Sequence, residues 1–313
     1  MTKKRGKPLV VVGPTASGKT FLAMELARRL DGEIVNADAL AVYRHLEIGT
    51  DKPSAEMRSE IPHHLVDILE PEEVFSAGEF ARRARRALAD IASRGRAAVV
   101  VGGSGFYIRA LLEGLSPLPQ RDDAARAELE ERLEREGVEA LYGELQRVDP
   151  STAERLQPRD RQRVIRALEI HRSSGVTMSK WLARKPEEPP IEALRIGLTL
   201  PRSILYDRIA DRVHRMVEKG WLTEIRDMLD QGIEPDAPAF QAIGYRQMLR
   251  YARGECPRHQ AIDETIRATR HYAKRQLTWF RRQPGIHWIS GLTLSDVLPD
   301  LLNDIQFKEL GLK

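Results

Sequence analysis

The run Gly13, Pro14, Thr15, Ala16, Ser17, Gly18, Lys19, Thr20 has the spacing G-x-x-x-x-G-K-T, and each of its chemical types has a use. Glycines allow a loop whose backbone N–H groups turn inward around an anion, the lysine neutralises an outer phosphate, and the threonine hydroxyl can ligate Mg²⁺. The loop therefore asks for a diphosphate or triphosphate but is blind to what that group is attached to. A second candidate is Asp38, at the end of the short run 32–38, where a carboxylate can bind Mg²⁺ or accept a proton from a substrate nucleophile. A third set lies in 201–217: Leu205, Ile209, Val213, Met216 and Val217 repeat at helical spacing, which leaves Arg208, Arg212 and Arg215 on another face. From that face Arg208 or Arg212 can reach a leaving phosphate. The apolar run 96–101 ends in Gly102, Gly103, Ser104 and Gly105, so the acid that many P-loop NTPases place there for magnesium is missing. His63 and His64 are neighbours that point in different directions, with no third ligand type spaced nearby, so they make no metal site. Cys256 has no local base and carries no catalytic role.

Three buried strands must position these groups. The runs 8–12, 32–38 and 96–101 alternate with helical text at 21–30 and 76–93, a rhythm that predicts a parallel sheet with right-handed crossovers. Ligands of such sheets sit at the carboxyl ends of the strands, so Gly13, Asp38 and Gly102 are expected to converge on one cleft. Ser116, Pro117, Leu118 and Pro119 mark a change of text, and 122–174 shows no strand-like alternation, only helix formers with Glu128–Arg132 and Glu131–Arg135 pairs. After the Pro-rich stretch 185–190, the run 194–200 reads as another core strand. The expected fold is therefore α/β, a P-loop NTPase-like core with a parallel sheet flanked by helices, plus an inserted all-helical lobe. The core is expected over 1–119 and 191–313, and the insertion over 120–190.

A long helix over 262–282 would point Ile262, Ile266, Ala273, Leu277 and Phe280 inward and set Arg267, Arg270, Lys274 and Arg281 on another stripe. Arg159, Arg161, Arg163 and Arg166 supply a second basic surface, on the insertion. Two separated basic surfaces suit a folded RNA better than a small metabolite. Overall, 50 Lys and Arg against 46 Asp and Glu leave only +4, so distribution rather than total charge carries this inference. With 42% hydrophobic and 31% charged residues over 313 positions, the chain has ample material for a core and no disordered composition. No apolar run approaches the roughly 18 residues of a membrane span, and the apolar part of the opening is shorter than a secretion signal requires. One cysteine excludes an internal disulfide and a four-cysteine zinc site. A cytoplasmic protein with no membrane partner is expected.

The ordered motifs make the chain similar to a known family. The P-loop, Asn36-Ala37-Asp38 with Val42-Tyr43-Arg44, Ile61-Pro62-His63-His64, Leu115 to Pro119, Asp160 to Arg163 with Arg166 to Glu169, Ala242 to Gln247, and Ala273 to Gln276 with Trp279 together resemble bacterial tRNA dimethylallyltransferases of the IPP transferase family. The resemblance implies transfer of a dimethylallyl group from dimethylallyl diphosphate to N6 of the adenosine just 3′ of the anticodon, by a monomer with Mg²⁺ as cofactor. It implies that residues 13–20 with Arg212, and less so Arg208, bind diphosphate, that Thr20 ligates the metal, and that Asp38 is the general base beside Lys19, Thr20 and Arg212. It also implies a tRNA path lined by Asp38, Ala39, Leu40, Ala41, Ser104, Arg126, Gln162, Arg163, Val164, Ile165, Arg166, Gln241, Ala242, Ile243, Gly244, Tyr245 and Arg246. Ala39 stands where the family commonly has Ser, which removes one hydroxyl contact, and Ser104 where Thr is commoner, which keeps one. A P-loop kinase of a small metabolite or nucleoside would use the same parts, with Asp38 as base toward a hydroxyl. The arginine-rich insertion and the missing acid after 101 count against it. A purely RNA-binding module would leave the P-loop and Asp38 without a purpose.

Overall fold

A computed structural model of the chain describes residues 6–292. Strand β1 (Leu9–Val12) runs into the P-loop and helix α1 (Lys19–Arg29), followed by β2 (Gly32–Asn36), α2 (Ala55–Glu60) and β3 (His63–His64). Then come α3 (Ala77–Ser93), β4 (Ala97–Gly102) and α4 (Gly105–Glu113). Ser76 starts α3 because its hydroxyl accepts from Glu79 N at 3.1 Å, satisfying an N–H that the first helical turn leaves open. The chain divides into two compact units, residues 113–190 and the remainder.

The larger unit holds a six-stranded sheet in the order β3-β2-β4-β1-β5-β6, with every pairing parallel. β5 (Leu194–Thr199) returns beside β1 after the insertion, and β6 (Ile286–Ser290) extends that edge. All four residues of β1 are buried, which is why the strand reads as an unbroken apolar run. Leu9 and Val11 pack with Leu22 and Leu26 of α1, while Val10 and Val12 pack on the opposite face with Phe80, Ile91, Leu111 and Phe280. Each such side chain contributes about 1.5–3 kcal/mol by leaving water. Register then sets the site: Val12 lies beside Gly102, and Asn36 beside Val101. The residues that follow β1, β2 and β4 therefore emerge in one row.

The smaller unit is helical, with α5 (Asp123–Val148), α6 (Pro150–Ala153), α7 (Arg161–Ser174) and α8 (Met178–Leu182). α5 is broken at Gly137, whose φ of 80° leaves the helical region. The unit begins at Glu113, earlier than the composition change at 120 suggests, because the linker joins it. Ser116 Oγ donates to Leu182 O at 3.3 Å, and Pro119 O accepts from Arg166 Nη2 at 2.5 Å.

Back in the larger unit, α9 (Arg202–Glu218), α10 (Trp221–Asp230), α11 (Tyr245–Ala252) and α12 (Arg258–Arg281) follow β5. α12 starts four residues ahead of the apolar repeat at 262, since Pro257 at its N-cap begins the turn. β6 has no clear alternation and is read only from its pairing with β5.

The smaller unit's core contains Leu129, Leu141, Leu145, Val164, Ile165 and Leu168. Glu169, fully buried, is its electrostatic centre: it accepts from Asp122 N at 3.1 Å, pairs with Arg166, and has Arg126 Nη1 at 3.5 Å. Removing one partner of a buried charge leaves part of its desolvation uncompensated. Arg166→Met should therefore lower stability by about 2 kcal/mol. Denaturant unfolding followed by Trp181 fluorescence in a background lacking the other tryptophans checks this, and an unchanged midpoint would show that Arg126 alone suffices.

Candidate active site

A cavity of about 320 Å³ opens at the carboxyl ends of β1, β2 and β4, lined by Thr15, Lys19, Thr20, Asp38, Ala39, Leu40, Ala41 and Arg212 among others. The P-loop turns by left-handed conformations at Ala16 (φ 62°) and Gly18 (φ 95°), the kind of backbone geometry that builds an anion-binding nest. Lys19 Nζ donates to Pro14 O at 2.7 Å, so the lysine lies along the loop it serves. Burial pushes the Lys19 ammonium down to about 8; the charge of Asp38 opposes that shift and the nearby Arg212 adds to it. A desolvated cation beside a second cation favours an incoming polyanion.

Arg212 reaches over the P-loop from α9. Its Nη1 donates to Thr15 Oγ1 at 2.7 Å, its Nη2 to Thr50 O at 3.1 Å, and Asp51 Oδ2 lies 3.3 Å from Nε. The structure thus brings Arg212 to the phosphate loop. Arg208, one turn earlier, does not line the cavity. Asp38 is held by its neighbours: its N–H donates to Asn36 Oδ1 at 3.1 Å and its Oδ1 accepts from Leu40 N at 2.9 Å. Asn36 is in turn anchored by donating to Leu65 O at 2.9 Å. Among the described residues Asp38 Oδ2 has no protein partner, which leaves it free to take a proton.

Helix α12 supplies a wall that its apolar repeat conceals. Thr265, Thr269, Tyr272 and Gln276 recur at helical spacing and all line the cavity. Gln276 is buried; its Oε1 accepts from Thr15 N at 2.9 Å and its Nε2 donates to Gly103 O at 3.0 Å. That side chain explains Gly103, since a Cβ there would fall 2.1 Å from Gln276 Nε2. Burial and the charge of Asp38 push the Tyr272 phenol up to about 12, and a hydrogen bond with Ser104 draws it down. Polar residues repeating every three or four positions on a long helix were the available signal for this wall. His63, set aside as a metal ligand, lines the same cavity with a neutral-leaning ring: burial lowers its pKa, and Nδ1 lies 2.7 Å from Ile61 O.

The expected RNA-contacting residues are sorted by their packing. Ala39, Leu40, Ala41, Ala242 and Ile243 line the cavity, and Ser104 sits beside Tyr272. Gln241 and Arg246 are exposed, whereas Gly244 and Tyr245 are buried. Tyr245 stands edge-on to Trp221 at 5.4 Å and donates to Glu224 Oε1 at 2.6 Å, so its role is packing. Glu224 also accepts from the N–H groups of Glu47 (2.9 Å) and Ile48 (2.6 Å), fixing the loop that carries Thr50 and Asp51. In the helical unit Val164 and Ile165 pack in the core, and Ile165 also borders an open groove with Arg126 and Gln162. Arg126 and Arg166 are committed to Glu169, while Gln162 and Arg163 remain exposed.

Comparison with known proteins agrees with this arrangement. The model of the family described as "IPP transferase" matches residues 41–283. A tRNA dimethylallyltransferase 1 of Trichlorobacter lovleyi is 47% identical over 283 residues, covering 90% of this chain and 93% of the relative. A tRNA dimethylallyltransferase 2 of Geotalea uraniireducens is 48% identical over 284 residues, with 90% and 92% covered. Among solved structures, the tRNA isopentenylpyrophosphate transferase of Bacillus halodurans is similar with a TM-score of 0.71 at 37% identity, covering 98% of both chains. A eukaryotic dimethylallyltransferase described as acting on tRNA superposes with a TM-score of 0.80 at 26% identity, covering 95% of this chain and 78% of that one. With its P-loop fold and similarity of this breadth, the chain belongs to the IPP transferase family.

Proposed function

We propose that this protein, acting as a monomer, transfers the dimethylallyl group of dimethylallyl diphosphate to N6 of the adenosine just 3′ of the anticodon in tRNA. The observation that carries the reading is the sharing of one cavity by a phosphate loop with two cations, Lys19 and Arg212, and a carboxylate with a free oxygen, Asp38. An exocyclic adenine amine is a poor nucleophile because its lone pair is delocalised into the ring. Asp38 Oδ2 takes its proton as the N6–C1 bond forms and the C1–O bond breaks. The electron pair of that bond leaves with diphosphate, onto the P-loop N–H groups, Lys19 and Arg212. These donors are already in place, so little reorganisation is needed as charge develops.

Mg²⁺ fits as cofactor. Among the described residues no cluster of three His, Cys, Asp or Glu could hold a metal unaided, and Thr20, with a hydroxyl that has no protein partner, lines the cavity. Mg²⁺ commonly takes one or two protein oxygens together with substrate phosphates and water, so Thr20 with the diphosphate would hold it. When bound it supplies charge neutralisation of the leaving group. Arg163 and Gln162, exposed at the start of α7, are the residues of the helical unit best able to meet RNA phosphates. Among the described residues no helix is long and apolar enough to cross a membrane. The relatives quoted above are named as transferases, and nothing in them supports a metabolite kinase.

The direct experiment incubates the protein with unmodified tRNA, Mg²⁺ and dimethylallyl diphosphate, with no ATP, and seeks a mass gain on the anticodon-loop adenosine. ADP formed from ATP with a small acceptor, and no prenylated RNA, would overturn the reading.

Asp38→Asn keeps the hydrogen bond to Leu40 and loses the base. It should bind tRNA and donor almost normally and slow single-turnover transfer by about 10²- to 10⁴-fold. A near-normal rate would remove Asp38 from the mechanism.

In the ligand-free protein Lys19 loses its proton near pH 8, and only the charged form attracts diphosphate. Donor affinity should therefore hold through pH 7.5 and weaken as pH rises above 8, by up to about tenfold per unit, while the donor's own phosphate titration lies near pH 6. Lys19→Ala should bind more weakly and flatten this profile. A wild-type profile flat to pH 9.5 would place the titration elsewhere.

A further inference from the structure

Next to the cavity lies a surface that the proposed chemistry does not use. Phe106, at the head of α4, is 46% exposed. Alone it would mean little, since exposed apolar side chains are common. One turn later, the Arg109 guanidinium lies 5.1 Å from the Phe106 ring centroid and 5.5 Å from that of Trp279 on α12. Trp279 is seated against Gly105: a Cβ at that position would fall 2.2 Å from the indole. Phe106, Arg109 and Trp279 thus form one braced group of two rings and an interposed cation.

The charge on this group is unspent. Among the described residues Arg109 has no carboxylate partner, and neither has Arg275, which lies 5.6 Å from the ring of Tyr272. Several other arginines are neutralised: Arg94 pairs with Glu33 and Asp90, Arg132 with Glu136 and Glu144, and Arg172 with Glu128. A guanidinium seated against aromatic rings, with no carboxylate partner, is suited to a phosphate or a base. The group also connects directly to the cavity. Trp279 lies two turns along α12 from Tyr272, and Gly105 follows Ser104, the hydrogen-bond partner of Tyr272.

We propose that Phe106, Arg109 and Trp279 form a stacking platform for an unpaired nucleobase adjacent to the adenosine held in the cavity, with the free edges of Arg109 and Arg275 meeting the intervening phosphate. This inference rests on the tRNA-modifying reading of the cavity. A nucleotide whose neighbour has been drawn out of the loop stack loses a stacking partner, and an exposed aromatic face with a cation beside it replaces that partner without regard to base identity. Specificity for the loop then comes from geometry, not from reading the neighbouring base.

The test uses the full chain and an anticodon stem-loop RNA in which the nucleotides flanking the target adenosine are made abasic one at a time. Prenylation of the intact stem-loop by the wild-type protein is measured first, and its absence would count against the function, not the platform. Phe106→Ala should weaken RNA binding about tenfold or more, within the range for one stacked base, with donor affinity and Tm unchanged. Phe106→Trp should restore binding. One abasic position should weaken wild-type binding by a similar factor and cost Phe106→Ala nothing further, because the two changes remove the same contact. RNA binding by Phe106→Ala within twofold of wild type overturns the proposal, as do losses that multiply independently at every abasic position.

Discussion

The buried amide of Gln276 is the contact on which the site depends. With one oxygen and one nitrogen it ties the backbone N–H of Thr15 in the P-loop to the carbonyl of Gly103 after β4. Both groups lie at a row of strand ends, and a buried backbone group left unmet there costs about 1–3 kcal/mol. One side chain satisfies both and fixes the rotation of α12 about its axis. Once Gln276 is seated, Tyr272, Thr269 and Thr265 must face the cavity by helical period alone. The absence of a Cβ at Gly103 is the other half of the same constraint, since any side chain there would occupy the position of the amide.

Around that clamp the site separates its charges. Lys19 and Arg212 stand at the phosphate loop, and Asp38 stands close enough to hold up the lysine's proton affinity without pairing with it. A direct ion pair would neutralise both groups before substrate arrives and would have to be broken at each turnover. Instead Pro14 O holds Lys19, Thr15 Oγ1 and the exposed carboxylate of Asp51 hold Arg212, and Leu40 N and Asn36 hold Asp38 and its backbone. Neutral partners orient Lys19 and Asp38 while leaving their charge available. Alkyl transfer with a departing anion on one side and a departing proton on the other needs that separation.

The sequence made some of this plain and concealed the rest for definite reasons. The P-loop is legible because its function is carried by backbone N–H groups, so the spacing of glycines, lysine and threonine is the mechanism itself. Convergence of Gly13, Asp38 and Gly102 is legible because parallel strands align their carboxyl ends. The wall from α12 was not, because the apolar repeat of Ile266, Ala273 and Phe280 accounts for the helix and draws the eye from the polar stripe beside it. β6 was missed because its residues are only partly buried and it is defined by pairing with β5 alone.

The arginines of the helical unit show a deeper limit. In one dimension Arg163 and Arg166 are equivalent members of a basic run, yet one is exposed and the other is drawn to a fully buried carboxylate. What separates them is Glu169, three positions on from Arg166, and nothing local marks that glutamate as buried. What draws it in is the N–H of Asp122 and the guanidinium groups of Arg166 and Arg126, which meet it from two helices and the linker ahead of them. The converse holds at Arg109, which stands alone in α4 and belongs to no basic run, yet keeps its charge because aromatic rings rather than carboxylates support it. Charge available to a polyanion is therefore a property of each guanidinium's partners, and a count of arginines along a stripe overestimates it in the one unit and overlooks it in the other.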